Sequence, residues 1–347
     1  MTEPILIWGA GAIGGILGAY LARAGHAVHM VDIVEEHVLA MREEGLAIEG
    51  PVEEFAQVLP ASTPAELEGR FGRVILAVKA HHTRPALDML APHLAPGGYV
   101  VSAQNGLNET LISERIGAES TVGCFVNYGA DWLGPGRILY GNRAAVAVGE
   151  LDGRITDRAC EVHALFRVVE PDAVLTDNIW GYLWGKLGYG ALLFATALTP
   201  LSMSDAMARP DHRAVYEALG HEVMRLARAQ GIHPLGFNGF DPDAFLRADR
   251  TGMASSLDAM VEHNRHTAKT HSGIWRDLAV RKRRTEVDAQ VGVLVDLGQK
   301  HGIGTPALAS LVKLIHEVEA GRRAQSPDLL NLMVPLCARA SMAASSP

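Results

Sequence analysis

Short apolar runs alternate with helical periodicities through the first half of the chain. The runs ILIW (5–8), HAVHMVD (26–32), RVILAV (73–78) and YVVSAQ (99–104) are rich in β-branched residues and bounded by glycine or proline, as strands are. Between them, residues 13–24, 34–44 and 82–94 repeat their apolar positions at helical spacing. Strand–helix–strand alternation with nearly continuous apolar strands predicts a parallel sheet covered by helices on both faces. TVGCFVNYGA (121–130), GRILYG (136–141) and AAVAVGEL (144–151) predict further strands, a hairpin-like continuation that closes the sheet edge.

The pattern changes near residue 172. From 177 to 323 helical periodicity dominates, with loops at 209–211 and at the Gly/Pro-rich 233–242. PDAVLTDN (171–178) reads as a connector ending in a helix N-cap. The expected organisation is a doubly wound α/β domain over residues 1–174, an all-α domain over 175–335 and a disordered tail over 336–347. A chain of 347 residues is long enough for two cores.

One helical stretch is unusual. NIWGYLWGKLGYGALLFATAL (178–198) is almost wholly apolar or small, yet it carries Lys186. No other charge lies between Asp177 and Asp205, and the lysine's own stripe (Tyr182, Leu183, Tyr189, Gly190, Leu193, Ala197) is uncharged. An isolated ammonium costs several kcal/mol to take out of water. Lys186 is therefore either a snorkelling stem or a functional group at an opening.

Composition narrows the classes. Hydrophobic residues make up 48% and charged residues 20%, and the net charge is -8, so nucleic acid and anionic lipid are not expected partners. The basic run RKRR (281–284) is followed at once by Glu286 and Asp288, and reads as a solvated face or a local anion contact. Cys124, Cys160 and Cys337 form no CxxC pair, so neither a disulfide framework nor a zinc site is indicated, and a reducing cytoplasm fits. His263, His266 and His271, with Glu262 nearby, lack a completing ligand, and no metal is expected. The apolar run 187–203, interrupted by glycine, proline and serine, is short for a membrane span, and the N-terminus lacks the marks of a signal peptide.

Candidate chemistry begins at ILIWGAGAIGG (5–15), where Gly9, Gly11 and Gly14 form G-x-G-x-x-G directly after a strand and at the opening of a helix. Gly9 suits the tight turn, Gly11 lets the backbone approach a pyrophosphate, and Gly14 allows close helix–strand packing. The first N–H groups of the helix, at Ala12 and Ile13, are then free to meet phosphate. Strand two ends in Asp32, placed to accept hydrogen bonds from a ribose 2′-hydroxyl and to repel a 2′-phosphate. NAD(H) is favoured, and no arginine follows in DIVEEHV to reverse that balance. Lys79, in LAVKAHH, and Asn105, in SAQNG, fall after later strands, where such a sheet opens its crevice.

GAGAIGG, VKAHHT, QNG, WGKL (184–187) and RRTEVD (283–288) occur in this order, and over residues 5–315 the chain resembles the ketopantoate reductase (2-dehydropantoate 2-reductase) family. The resemblance implies a Rossmann-type domain followed by a helical domain, an active site in the cleft between them, and an oxidoreductase of pantothenate biosynthesis transferring hydride between NADP(H), the family-typical cofactor, and a 2-keto or 2-hydroxy acid. It implies Lys186 as the catalytic lysine, Glu286 as the active-site glutamate, Asn105 as the cleft asparagine, Lys79 as a cofactor contact, and Ser272 as a holder of the substrate carboxylate. On a helix expected over residues 276–300, Glu286 shares a stripe with Gln290, Val293 and Leu297, at the edge of a buried face.

Two departures bear on substrate. Family members commonly carry asparagines four and eight positions after the lysine, and here these positions are Gly190 and Phe194. That wall loses two amides, which points towards a bulkier or more apolar ketone or alcohol, with His271 and Arg276 as candidate anion holders. Asp32 departs from the NADP(H) habit. The alternatives left open are another substrate within the family and a non-catalytic dinucleotide-binding protein; a homodimer is the default assembly.

Overall fold

A computed structural model of the chain describes residues 3–267 and 270–335. Cys337 and the tail at 336–347 lie outside the described residues. The chain divides into two compact units, Met1–Ile179 and Trp180–Pro347.

The first unit is a doubly wound sheet. Its strands are β1 (Ile5–Trp8), β2 (Val28–Val31), β5 (Ala61–Ser62), β6 (Phe71–Leu76), β7 (Leu94–Ser102), β8 (Thr121–Val126), β11 (Val146–Glu150) and β12 (Val174–Leu175), in the order β12-β11-β8-β7-β6-β1-β2-β5. All neighbours are parallel except β8 and β11. The period of two sorts side chains between the faces. Ile5, Ile7, Met30, Ile75 and Val101 enter one core, and Leu6, Trp8, Val31, Val74, Leu76 and Val100 enter the other. Helices α1 (Ala12–Arg23), α2 (Glu35–Glu43), α3 (Thr83–Leu90), α4 (Asn108–Ile116) and α5 (Asp157–Val169) belong to this unit.

Of the predicted hairpin-like continuation, β8 and β11 pair antiparallel at this end of the sheet, with β12 beyond them at the edge, but the segment between them does not stay in the sheet. Strands β9 (Gly129–Gly134) and β10 (Arg137–Asn142) leave it and join β3 (Leu46–Glu49) and β4 (Phe55–Gln57) in a second sheet, ordered β4-β3-β10-β9. The partner strands are only four and three residues long, too short to register as a periodic pattern.

The second unit is helical: α6 (Ile179–Thr196), α7 (Met203–Ala208), α8 (Arg213–Ala229), α9 (Pro242–Leu246), α10 (Arg250–Arg265), α11 (Gly273–Ala279), α12 (Val293–His301), α13 (Pro306–Glu319) and α14 (Asp328–Asn331). Ser202, Asp241, Asp249 and Ser272 cap α7, α9, α10 and α11 with their side chains. Thr305 does not cap α13. Glu222, buried on α8, accepts from the N–H groups of Ala307 and Leu308 (2.9 Å each) in its place. Among the described residues no helix is long and apolar enough to cross a membrane.

The single helix expected over 276–300 is broken. Asp277, nearly buried, accepts from Arg281 (3.1 Å) and Arg283 (2.9 Å), and Lys282 between them takes φ +51, so the chain turns back after α11. The basic run thus serves a local anion. Helix resumes after Glu286 through a π-helical turn, Asp288–Gly292, that leads into α12. A π turn resets side-chain directions, so the expected stripe through Glu286, Gln290, Val293 and Leu297 does not run straight.

Candidate active site

In the first unit the glycine motif builds a turn with room on one side. Gly9 has φ +97, and a Cβ there would lie 2.8 Å from Val78. At Gly14 a Cβ would lie 2.0 Å from the Gly9 carbonyl oxygen, so helix and turn touch only because that atom is missing. At Gly11 a Cβ would meet nothing within 4 Å. Beside this space α1 starts without a side-chain cap, which leaves the N–H groups of Ala12 and Ile13 directed outward at the positive end of the helix dipole. These features fit a pyrophosphate.

Asp32 has a structural task that the spacing alone did not disclose. Its Oδ2 accepts from the Ala10 N–H (2.9 Å) and its Oδ1 from the Val34 N–H (3.0 Å), tying the end of β2 to the glycine turn. The two carboxylate oxygens offer about four acceptor positions, so a ribose hydroxyl can still be held. Ile33 follows with 68% of its surface exposed, an apolar shelf, and α2 opens with Glu35 and Glu36.

Ala10 is held from its other end by His37, a residue the motif did not reveal. The fully buried ring of His37 donates from Nε2 to the Ala10 carbonyl (2.8 Å) and accepts at Nδ1 from the Gly136 N–H (2.8 Å). That donor at Nδ1 fixes the tautomer with its proton on Nε2.

Lys79, half-buried, and Asn105, exposed, follow the adjacent strands β6 and β7. A polar chain joins their loops. Gln104 donates to the Val78 carbonyl and to Thr83 Oγ1, Thr83 donates to Asn108 Oδ1 (2.8 Å each), and Asn108 donates to the Asn105 carbonyl (2.7 Å). Gly106 (φ +101) completes the Asn–Gly turn. Buried and linked in this way, Gln104, Thr83 and Asn108 set where Lys79 and Asn105 stand.

In the second unit α6 is buried almost all round. Between Gly181 and Thr196 the partly exposed residues are Tyr182, Lys186, Gly190 and Leu193, one stripe at i, i+4, i+8 and i+11. Lys186 thus lies on the one accessible face of an otherwise dry helix. The buried face is closed by backbone: Gly181 accepts from the Leu235 N–H (2.8 Å), and a Cβ at Gly185 would lie 1.9 Å from the Leu235 carbonyl oxygen.

Gly190 is open. A Cβ there would find a single neighbour within 4 Å, Gln290 Oε1 at 3.9 Å. The structure therefore brings α6 and the π turn together at Gly190 and Gln290, and Lys186 and Glu286 each precede that contact by four residues on their own segments. Glu286, half-buried, follows Thr285, whose N–H and hydroxyl both donate to Glu319 Oε1 (2.7 Å each).

Other expected site residues are engaged elsewhere. Phe194 is fully buried and packs as core, so it offers no surface to a ligand. Ser272 is 3% exposed and its Oγ accepts from the Trp275 N–H (3.1 Å) as the cap of α11. The ring of His271 lies 4.0 Å from that of Trp275, and its Nε2 lies 3.3 Å from the Pro200 carbonyl. Among the described residues no group of three His, Cys, Asp or Glu could hold a metal, and His266 pairs with Glu262 (2.8 Å).

Two family descriptions match the chain in turn: Ketopantoate reductase PanE/ApbA over residues 5–153, and its C-terminal counterpart over residues 178–319. The chain belongs to the ketopantoate reductase family. It is an oxidoreductase of the kind that acts on CH–OH groups with a nicotinamide dinucleotide. Among curated relatives, the 2-dehydropantoate 2-reductase of Mesorhizobium japonicum is 26% identical, covering 92% of this chain and 98% of its own. That of Archaeoglobus fulgidus is 27% identical, covering 92% and 99%. A PanE/ApbA family ketopantoate reductase structure from Ralstonia eutropha superposes with TM-score 0.76 at 26% identity, covering 92% of this chain and 99% of that one. D-mandelate dehydrogenase, solved with NADH and anilino(oxo)acetate, shares the fold with TM-score 0.79 at 22% identity, covering 92% and 98%.

Proposed function

We propose that this enzyme interconverts a 2-keto acid and the corresponding 2-hydroxy acid, with NAD(H) favoured over NADP(H). The observation that carries this reading is the position of Lys186 on the accessible stripe of an otherwise buried helix, one turn before the space at Gly190, where the helix meets Gln290 of the segment that bears Glu286. The dinucleotide, when bound, supplies or takes up the hydride.

The protein's part is placement and charge. Gly11 and the N–H groups of Ala12 and Ile13 hold the pyrophosphate, and Asp32 the ribose hydroxyl. A 2′-phosphate would meet the carboxylates of Asp32, Glu35 and Glu36 instead, which is the ground for preferring NAD(H). Lys79 and Asn105 act from the loops after β6 and β7, Lys79 on the cofactor and Asn105 on the substrate carbonyl. Lys186 stabilises the charge developing on the carbonyl oxygen and donates the proton to it, and Glu286 orients the lysine and holds the new hydroxyl. In the reverse direction the same ammonium position, deprotonated, accepts the hydroxyl proton.

The family name and the 2-dehydropantoate 2-reductase relatives support ketopantoate as substrate. Gly190, which leaves space where a side chain would project, favours a second reading, a bulkier 2-keto acid. D-mandelate dehydrogenase, which shares the fold, was solved with NADH and anilino(oxo)acetate, which is in keeping with that reading. Mixing the protein with NADH or NADPH and either ketopantoate or an aromatic 2-keto acid, and following the cofactor's absorbance, separates them. NADH turnover is expected to exceed NADPH turnover; the opposite order would overturn the cofactor assignment, and no oxidation of either cofactor with either acid would overturn the 2-keto acid reading.

A further inference from the structure

From the geometry around Gly190 we infer that Gln290 is a specificity-determining residue, whose side-chain amide holds a hydroxyl carried on the side chain of a 2-keto acid. This rests on the functional reading above and extends it to the part of the substrate beyond the reacting carbonyl.

Three observations meet at Gln290. Among the described residues outside the helix's own backbone, its amide oxygen is the one atom within 4 Å of where a Cβ at Gly190 would be, at 3.9 Å. The residue is half-buried, and its amide has no hydrogen-bond partner in the protein among the described residues, so its donor and acceptor are open to solvent or a ligand at the border of an opening. It lies within the π-helical turn Asp288–Gly292, a wider and less stable winding than the α-helix, of the kind found where a side chain is redirected to a site.

The spacing sets the ligand chemistry. Lys186 and Gly190 are separated by a little over one helical turn, roughly 6 Å of rise. With the carbonyl oxygen at the lysine, a group two or three bonds further along the substrate reaches the space at Gly190. An amide presents an acceptor on one side and a donor on the other, so a half-turn of its terminal bond lets it meet a hydroxyl in either role. An all-carbon side chain in the same place would strip water from the amide and return nothing, and a site that leaves a polar group unpaired in this way discriminates against it.

The test compares ketopantoate with trimethylpyruvate, the same acid without the hydroxyl, in wild-type enzyme, Gln290→Met and Gly190→Ala. Methionine keeps the length of glutamine and removes the amide. Gln290→Met is expected to raise KM for ketopantoate about tenfold with kcat little changed, and to lower KM for trimethylpyruvate several-fold, because that acid no longer strips water from an amide. Gly190→Ala, whose methyl would make only an ordinary contact with the amide, is expected to raise KM for both acids without lowering Tm. Wild-type turnover with an acid preference that Gln290→Met leaves unmoved would overturn the role of Gln290 alone. A wild-type enzyme that turns over neither acid would overturn the 2-keto acid reading together with it.

Discussion

Each unit sets a crowded glycine beside an open one, and the two regions use the space differently. At Gly14 and Gly185 a Cβ would lie 2.0 Å and 1.9 Å from carbonyl oxygens, so these positions exist to let backbone touch backbone. Gly11 finds nothing within 4 Å and Gly190 only an amide oxygen at 3.9 Å, so these leave room for something other than protein. Around Gly11 the available groups are main-chain N–H at a helix terminus, with Asp32 spent partly on holding the turn. Around Gly190 they are side chains: Gln290 at the gap, with Lys186 and Glu286 four residues ahead of it on their segments. Backbone donors suit a ligand part that never changes, such as a pyrophosphate. Side chains suit the part where protons move and substrates differ.

The largest effect that would test this division is on catalysis. Lys186→Ala removes a charge from the helical region alone, and is expected to lower kcat by about 10²–10⁴ while dinucleotide affinity, measured by titration, stays near that of the wild type. A parallel loss of both would mean that the two regions do not divide the work.

Crowding comes next. Gly185→Ala drives a methyl into the Leu235 carbonyl, and is expected to cost roughly 2–4 kcal/mol, or about 5–10 °C in Tm by calorimetry. An unchanged Tm would show that the loop around Leu235 yields freely and that the buried face of α6 is not closed by backbone contact.

The smallest effect extends the comparison to carboxylates. Asp32 and Glu222 each accept from two backbone N–H groups, but Asp32 is partly exposed and Glu222 is buried. Burial pushes the Glu222 carboxyl up to about 7 from an ordinary 4.5, although the N–H groups of Ala307 and Leu308 pull the other way. A raised acid favours its protonated form in the fold. The stability it contributes is complete below about pH 4.5 and is lost as pH rises through 7, up to about 3 kcal/mol in all. Glu222→Gln, which cannot ionise, is expected to flatten the fall of Tm between pH 5 and 8; identical slopes for the two proteins would contradict it.

Much of the first unit was legible because its signals are local. A glycine turn needs residues at fixed short offsets, and a strand ending in Asp32 needs only its own alternation. The hairpin was legible as strands but not as a separate sheet, since its partners β3 and β4 are short and lie far from it in sequence. In the second unit the charge in α6 drew attention to Lys186, while the helix expected over 276–300 failed where Asp277 gathers two arginines and turns the chain.

The sequence by itself determined the dinucleotide turn, the change from alternating to helical architecture, and the anomaly of one lysine in an apolar helix, because each follows from neighbours along the chain. Only the tertiary structure decided the companions of those features. His37 reaches Gly136 across 99 positions to brace the turn, Glu222 caps a helix 85 positions away, and Gln290 stands against Gly190. Such pairings arise from packing, where burial forces each polar group to find a partner wherever the fold brings one, and periodicity along the chain carries no record of that meeting.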